Sequence, residues 1–195
     1  GPGAAVEIDE LPEAAILLLQ RAGGEVLGRH IAGVAAGGRV VIVCSEDDLR
    51  PPEEEAMLQG LLSVLPDDTD PATSRVSTAG PGALEASPEA LDAAFMEANP
   101  GDVLVSLVGL SLDPRSLSYW RREVRPFLAV ANTQAFLLKD LVRSGTIDAL
   151  LVRAPSDRAH AAAADEADVE LVTWLVVTPA NVEDISRRHP GMFAD

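Results

Sequence analysis

The sequence has little cysteine, little basic charge and few aromatic residues. Its single cysteine, Cys44, can form neither an internal disulfide nor a cysteine-rich metal site. The 15 lysines and arginines are outnumbered by 31 aspartates and glutamates, which gives a formal net charge of −16. Because nucleic acids attract cationic protein surfaces, we expect no nucleic-acid partner. The longest purely apolar stretch near the start, residues 14–19, is far shorter than the roughly 20 residues that cross a bilayer.

The glycine-rich motifs that cradle nucleotide phosphates are missing as well. Neither G-x-G-x-x-G after a strand nor G-x-x-x-x-G-K-[ST] occurs anywhere in the chain. The three histidines are not spaced as metal ligands. We therefore expect no cofactor and no metal ion.

Apolar residues, by contrast, are plentiful. They make up 47% of 195 residues, which is enough for one buried core in a chain too short for two comfortable domains. Gly1-Pro2-Gly3 is typical of the remnant of a cleaved expression tag. We expect residues 4–195 to form a single Rossmann-like α/β domain.

Short apolar runs alternate with segments of helical periodicity from residue 39 onward. Several runs are apolar at nearly every position, as expected when helices cover both faces of a sheet. The pattern predicts a three-layer αβα sandwich with a mainly parallel sheet of five or six strands. The six candidate strands are residues 39–44, 74–79, 102–108, 126–131, 147–153 and 171–177.

Proline, serine and glycine mark the expected helix ends. Pro51-Pro52 followed by three glutamates, and Ser87-Pro88, are typical first turns. Thr133 is expected to open a helix that turns Phe136, Leu137, Leu141 and Val142 inward and ends at Gly145, and Thr178-Pro179 to open the last helix. Residues 12–22 and 25–36 are predicted as two helices, or as one helix broken at Gly23-Gly24.

The carboxyl ends of parallel strands form the usual ligand crevice of such a sheet, so residues there are the candidate site. Glu46, Ser111 and Asn132 are expected to hydrogen-bond a small polar ligand, and Arg153 to pair with a carboxylate on it. The same residues could instead serve only as helix caps and turns. The full candidate set is Ser45, Glu46, Gly109, Ser111, Asn132, Thr133 and Arg153.

A catalytic alternative uses either Cys44 or the acidic run Glu46-Asp47-Asp48. A cysteine nucleophile needs a neighbouring base or helix N-terminus, and no histidine lies near Cys44 in sequence. Paired carboxylates at a strand end can hold magnesium, but a solvated acidic turn looks the same in sequence. A small hydrolase or transferase therefore stays open as an alternative.

Tyr119 and Trp120 precede two arginines and form the only cluster of aromatic and cationic residues. Such a cluster can anchor a protein partner. It is equally typical of a short amphipathic helix in which Trp120 covers the sheet edge. The first reading allows a structural subunit of an oligomeric assembly as a further alternative.

The segments GDVLVSLVGL at 101–110, RPFLAVAN at 125–132 and IDALLVR at 147–153 carry a resemblance. Over residues 39–188 the chain resembles one lobe of the periplasmic-binding-protein-like fold, as in sugar-binding transport receptors and related sensor domains of transcription factors. It is also similar to poorly characterised, membrane-anchored bacterial proteins, through a segment like residues 177–182.

The resemblance implies an extracytoplasmic domain that binds a ligand or a protein rather than transforming it. Such receptors close two lobes around a sugar, whereas this chain has material for one, so enclosure of a ligand would need a second copy or a partner. We expect a non-catalytic binding or assembly module that is tethered to the membrane outside the cytoplasm through a removed N-terminal segment. A homo-oligomer stays open as an arrangement of this module. A cytoplasmic location is the alternative.

Overall fold

The computed structural model describes residues 12–35, 38–76, 86–110, 118–133, 135–153 and 174–194. Strands and helices alternate through these ranges, with two short 3₁₀ helices, Ser118–Arg121 and Ala135–Leu137. The strands are β1 Arg39–Ser45, β2 Asp70–Val76, β3 Val103–Ser106, β4 Phe127–Val130, β5 Ala149–Arg153 and β6 Trp174–Val177. The helices are α1 Glu13–Ala35, α2 Pro52–Val64, α3 Pro88–Met96, α4 Lys139–Arg143 and α5 Val182–Arg188.

The six strands form one sheet in the order β2-β1-β3-β4-β5-β6. The first five are parallel, and β6 runs antiparallel to β5 with Arg153 opposite Trp174. The chain moves from β1 outward to β2 and then returns past β1 to β3, so the direction of strand addition reverses between β1 and β3. That reversal places the expected ligand crevice at the carboxyl ends of β1 and β3.

The sheet is covered on both faces, which confirms the predicted three-layer sandwich. Successive residues of β1 belong to different cores: Ile42 packs with Leu27 of α1 and Leu61 of α2, whereas Val43 packs in the opposite core. That second core contains Phe95 of α3, together with buried residues of α4 and α5. Because side chains alternate between the faces of a strand, both sets of positions must be apolar, as the sequence pattern indicated.

The second strand begins earlier than its sequence suggests. β2 starts at Asp70, four residues before the predicted start, and residues 77–79 of the prediction lie outside the described ranges. The missed residues include Pro71, which cannot donate to a ladder hydrogen bond. An edge strand tolerates such a residue, and among the described strands β2 pairs only with β1.

Helix α1 is continuous over 23 residues, so the predicted break at Gly23-Gly24 is wrong. Both glycines are buried where other elements approach the helix backbone. A Cβ atom on Gly24 would overlap the carbonyl oxygen of Met57 in α2, and one on Gly60 of α2 would overlap the carbonyl oxygen of Arg21. The glycines therefore permit close packing of α1 on α2 instead of ending the helix.

Trp174 fastens the antiparallel strand β6 to α1. Its indole lies against Gly23, where a Cβ atom would come within 2.6 Å of Trp174 Cε2. The indole N–H donates to the carbonyl oxygen of Leu19 over 2.8 Å. The Trp174 ring thus occupies the space beside α1 that a side chain at position 23 would otherwise fill.

The predicted helix after Thr133 is also different in the structure. Residues Ala135–Leu137 form a 3₁₀ turn, which leaves Phe136 51% and Leu137 69% exposed, so their predicted inward orientation is wrong. A 3₁₀ turn has three residues per turn, which rotates side chains away from the stripe that α-helical spacing predicts. Val142 is buried as expected, and Gly145 adopts the left-handed conformation with φ of 76°.

Two predicted helix starts give opposite outcomes. Ser87 caps α3 as expected, because its hydroxyl accepts a hydrogen bond from the Ala90 N–H at 3.2 Å. The last helix instead begins at Val182, so the predicted start at Thr178-Pro179 is wrong. The Asn181 side chain accepts the Thr178 N–H at 2.7 Å and stabilises a turn before the helix.

Candidate functional site

The described candidate residues follow the carboxyl ends of four adjacent strands. Ser45 ends β1 and Glu46 follows it, Gly109 lies in the loop after β3, Asn132 and Thr133 follow β4, and Arg153 ends β5. Ser111 lies outside the described ranges. Since β1, β3, β4 and β5 are parallel neighbours, these residues lie along one edge of the sheet, called here the carboxyl edge.

The loops after β3 and β4 contact each other at the centre of this edge. A Cβ atom on Gly109 would lie 3.1 Å from the carbonyl oxygen of Asn132 and 3.2 Å from Cβ of Thr133. The Asn132 amide donates from Nδ2 to the carbonyl oxygen of Leu107 at 2.9 Å. The buried Ser106 hydroxyl donates to the carbonyl oxygen of Gly109 at 2.6 Å. We call residues 107–110 and 131–133 the β3–β4 loop pair.

Both loops use the left-handed backbone region at their point of contact. Gly109 has φ of 75°, and Asn132 has φ of 56°. Among non-glycine residues in the described part of the chain, Asn132 alone has positive φ. Asparagine tolerates this region better than most residues, and such conformations concentrate at ligand-binding positions. Asn132 is also exposed to solvent, so its side chain is accessible at the edge.

Arg50 organises the end of β1. Its Nε and Nη2 donate to the carbonyl oxygen of Ser45 at 3.2 and 3.0 Å. Nη2 also donates to Asp47 Oδ1 at 2.9 Å, and Nη1 to Glu55 Oε2 at 2.6 Å. The Arg50 side chain is only 10% exposed. We call Arg50 with these three acceptor residues the Arg50 latch.

Glu54 also stabilises the end of β1. Its buried carboxylate accepts the backbone N–H of Ser45 over 2.8 Å. The sequence pattern treats Glu53, Glu54 and Glu55 alike, as carboxylates facing a helix dipole. The structure separates their roles, since Glu54 holds the strand end and Glu55 binds Arg50. Sequence reasoning missed Arg50 and Glu54, and the only available signal was an arginine three residues before an acidic helix turn.

Cys44 does not have the surroundings of a nucleophile. It is fully buried in the core between the sheet and the α1–α2 layer. Burial raises the pKa of the Cys44 thiol, although the neighbouring Arg50, whose Nη2 lies 3.5 Å from Sγ, opposes this shift. A buried, protonated thiol is a poor nucleophile. The geometry therefore does not support the cysteine version of the catalytic alternative.

The acidic run after β1 is partly neutralised by arginines. Asp47 Oδ1 lies 2.9 Å from Arg50 Nη2 and 3.1 Å from Nε of Arg75, which projects from β2. Within the ranges that the structure describes, no group of three histidine, cysteine or acidic side chains is placed to hold a metal ion. Asp47 acts here as an ion-pair partner between two strand ends.

Arg153 lies apart from the β1 end of the candidate set. Three strand spacings separate β5 from β1, a distance of about 14 Å. The Arg153 guanidinium lies 5.8 Å from the centre of the Trp174 ring, its cross-strand neighbour. One spacing separates β5 from β4, so Arg153 is nearer to Asn132 and Thr133 than to Ser45. The β3–β4 loop pair therefore lies between the β1 flank and the β5 flank of the carboxyl edge.

Tyr119 and Trp120 lie in a 3₁₀ helix against α3 and do not form a continuous exposed surface. Tyr119 is fully buried, and its ring packs edge-on against Phe95 at 5.2 Å and Trp120 at 4.9 Å. Trp120 is half-buried beneath the Arg125 guanidinium, 5.3 Å from the ring centre. Burial raises the pKa of Tyr119 to about 12. From this position Tyr119 contributes to the core and offers no surface to a partner.

Comparison with known proteins identifies the fold. No family model matches the sequence, and no curated protein matches it. Solved structures do match: a chain of a mutant XylFII–LytSN complex has a TM-score of 0.58 and 13% identity, with 84% of this chain and 68% of that chain covered. GanP, a glucose-galactose binding protein from Geobacillus stearothermophilus, has a TM-score of 0.56 and 15% identity, with 83% and 61% covered.

A third match is an ABC transporter solute-binding protein from Agrobacterium vitis, bound with α-D-tagatopyranose. It has a TM-score of 0.58 and 14% identity, with 87% of this chain and 60% of that chain covered. This chain thus spans about two thirds of the length of these structures or less. The likenesses show a periplasmic-binding-protein-like fold, as the strand patterns suggested.

None of the described helices is both long enough and apolar enough to span a membrane.

Proposed function

We propose that this chain is a non-catalytic, extracytoplasmic binding module that recognises a small polar ligand at its carboxyl edge. The observation that carries this proposal is the β3–β4 loop pair. Gly109, Asn132 and Thr133 lie on two separate loops, yet the fold holds them in contact, and two of them have left-handed backbones. An ordered polar loop pair beside a topological switch point is where an open parallel sheet binds its ligands.

The chemistry of the edge suits a ligand with several hydroxyl groups. The Asn132 amide and the Thr133 hydroxyl can both donate and accept hydrogen bonds, and the interlocked loops hold them without further ordering on binding. Glu46 would accept hydrogen bonds at the β1 flank. Arg153 would pair with a carboxylate only on a ligand bound toward β5. Ser111 remains part of the proposed site.

The structural neighbours indicate which ligands to test first. GanP is described as binding glucose and galactose, and the Agrobacterium vitis protein is bound with a tagatopyranose. These ligands support hexoses as the leading class for this chain. They also support an extracytoplasmic location, while the N-terminal membrane tether stays a prediction that fractionation of cells carrying the natural gene would test.

A thermal-shift screen followed by calorimetry tests the proposal. The panel contains glucose, galactose, allose and tagatose, together with amino acids and small organic acids, each at about 10 mM. A ligand that binds only the native state at 100 times its Kd stabilises the protein by roughly 2.7 kcal/mol, which raises the Tm measurably. If no compound raises the Tm and calorimetry shows no heat, the proposed function is wrong.

The variant Asn132→Ala locates the site. It removes the hydrogen bond to Leu107 and the amide at the edge, so we expect affinity for any hit to fall by about tenfold or more. Asn181→Ala is the matched control, because its side chain also makes local hydrogen bonds, to Thr178 and Val176, but between β6 and α5 at the opposite edge. Equal losses of affinity in both variants would place the ligand elsewhere.

A second candidate function is assembly with another protein. Exposed apolar side chains follow two strands at the same edge: Leu49 in the loop after β1 is 48% exposed, and Phe136 and Leu137 in the 3₁₀ helix after β4 are 51% and 69% exposed. One structural neighbour comes from a XylFII–LytSN protein complex. A partner or a second copy seated here would enclose a ligand that one sheet edge leaves open. Light scattering over a concentration series would detect self-association, and Phe136→Ser with Leu137→Ser should abolish it.

A further inference from the structure

We infer that Arg50 is a positioning residue of the ligand-binding edge. It fixes the β1–α2 loop, residues 46–50, and through that loop sets the position of Glu46. This inference rests on the proposed function and extends it to a residue that does not itself touch the ligand.

The Arg50 guanidinium joins three elements of the structure. Arg50 contacts the last residue of β1 through the carbonyl oxygen of Ser45, the loop through Asp47 and helix α2 through Glu55. These bonds use three different nitrogens in the planar fork of the side chain. A lysine ammonium has no such fork and cannot reproduce the arrangement.

The backbone groups at the end of β1 obtain their hydrogen bonds from side chains. The sheet ladder stops here, and a buried backbone group without a partner is costly. Ser45 is 2% exposed; its N–H is bonded to Glu54 and its carbonyl oxygen to Arg50, so both groups depend on side chains. Loss of Arg50 leaves a buried carbonyl oxygen at the base of the loop that carries Glu46.

Arg50 also offsets the negative charge of its surroundings. The loop and the first turn of α2 contain six carboxylates, at positions 46, 47, 48, 53, 54 and 55. Arg50 is the cation within this segment, and it lowers the pKa of Glu55 through their hydrogen bond, helped by a second bond from Gln59. Without Arg50 these charges repel one another, which favours a more open loop.

Arg75 provides a matched control because it lies in the same cluster without joining elements in this way. It pairs with Asp47 at 3.1 Å, and its side chain is 53% exposed. An exposed ion pair contributes little to stability. Arg75→Gln removes one positive charge, as Arg50→Gln does, but leaves the Ser45 carbonyl oxygen and Glu55 bonded to Arg50.

The experiment measures hydrogen exchange of the amides of residues 45–50 and the affinity for the best hexose of the panel. For Arg50→Gln we expect exchange in this loop to rise by about tenfold or more, with residues 40–43 unchanged, because only the strand end loses its support. We expect affinity to fall by about tenfold as well. Arg50→Lys should restore part of the loop's protection from exchange and part of the hexose affinity. Arg75→Gln should change neither the exchange rate nor the affinity by more than about twofold.

Three results would overturn the inference. The first is loop exchange in Arg50→Gln that matches Arg75→Gln. The second is a loop that opens in Arg50→Gln while hexose affinity stays at the wild-type value, which would make Arg50 purely structural. The third is a wild-type protein that binds none of the panel; this refutes the proposed function itself, and the exchange data then show separately whether the latch exists. If Arg50→Gln does not fold, hydrogen exchange and hexose affinity are measured on Arg50→Lys instead. We then expect faster loop exchange and weaker hexose binding than in the wild type, and wild-type values of both would overturn the inference.

Discussion

Gly24 of α1 lies directly against Met57 of α2, so closely that a Cβ atom on the glycine would overlap the methionine carbonyl oxygen. Gly60 has the same relationship to Arg21 in the reverse direction. Two helix backbones therefore meet at paired glycines, and the joined helices cover the face of the sheet that contains Ile42 and Cys44. The layer therefore depends on the absence of side chains at these glycines as well as on the apolar side chains that pack beneath it.

Gly24→Ala should accordingly destabilise the protein, although alanine is the better helix former. The added methyl group must push α1 away from α2, and overpacking of this kind costs about 2 kcal/mol or more. Gly33→Ala in the same helix is the control: nothing lies within 4 Å of its Cβ position, so it should stabilise by roughly 0.5–1 kcal/mol. Urea denaturation measures both, and similar values for the two variants would disprove the close contact.

Tyr119→Phe should leave the protein as stable as before, or slightly more stable. The Tyr119 hydroxyl is buried and has no hydrogen-bond partner among the described residues. Removing an unpaired buried polar group costs nothing and recovers its desolvation penalty, about 1 kcal/mol. The ring keeps its contacts with Phe95 and Trp120. A loss of more than about 1 kcal/mol would mean that the hydroxyl has a partner after all.

The same tyrosine predicts a loss of stability at alkaline pH. Its pKa rises from 10.0 in the unfolded chain to about 12 in the fold, because burial disfavours the phenolate. Because the pKa of Tyr119 is raised in the folded state, its contribution to the free energy of unfolding is complete below pH 10. That contribution is lost as the pH rises toward 12. The difference of two units between the folded and unfolded pKa values corresponds to a loss of about 3 kcal/mol in the free energy of unfolding.

Two measurements check this alkaline transition. Tyr119 is the only tyrosine of the chain, so the absorbance of tyrosinate reports on this residue alone. The difference in unfolding free energy between wild type and Tyr119→Phe should be constant up to pH 10 and then shift in favour of the variant. A tyrosinate signal with its midpoint at pH 10 in the native protein would show that the ring is accessible to solvent.

Gly109→Ala and Gly145→Ala separate the backbone cost of a left-handed residue from the cost of loop contact. Their φ angles are nearly equal, 75° and 76°. Nothing lies within 4 Å of a Cβ atom on Gly145, whereas one on Gly109 meets the Asn132 carbonyl oxygen at 3.1 Å. Both variants should lose about 1–2 kcal/mol through the backbone, and Gly109→Ala more because the loops must part.

Only Gly109→Ala should also weaken hexose binding, since Gly145 follows α4 at the other edge of the sheet. Thermal unfolding and calorimetry on the same samples give both quantities. Equal destabilisation by the two substitutions, or weakened binding in both, would argue against an interlocked loop pair at the ligand site.

The candidate site was predictable in part, and the reason differs from residue to residue. Asn132 and Gly109 follow strongly apolar strands, and parallel strands deliver the residues after them to one edge, so their proximity follows from local patterns alone. Arg50 could not be found in this way, because its role depends on three acceptors that come together only when α2 packs beside β1. Arg153 lies at the carboxyl end of β5 as predicted, but its distance from Ser45 depends on strand order, which local periodicity does not contain.

The amino-acid sequence by itself determined the layers of this protein: apolar runs buried on both faces require helices above and below a mostly parallel sheet, and the caps at Ser87 and Gly145 are local chemistry. Only the tertiary structure decided that Gly23 and Gly24 receive Trp174 and α2 instead of ending a helix, that Phe136 and Leu137 face outward, and that Tyr119 is core. A glycine, an aromatic ring or an apolar pair can serve at a surface or an interior equally well. Whether such a residue lies at the surface or in the interior depends on which other parts of the chain pack against it in the folded protein.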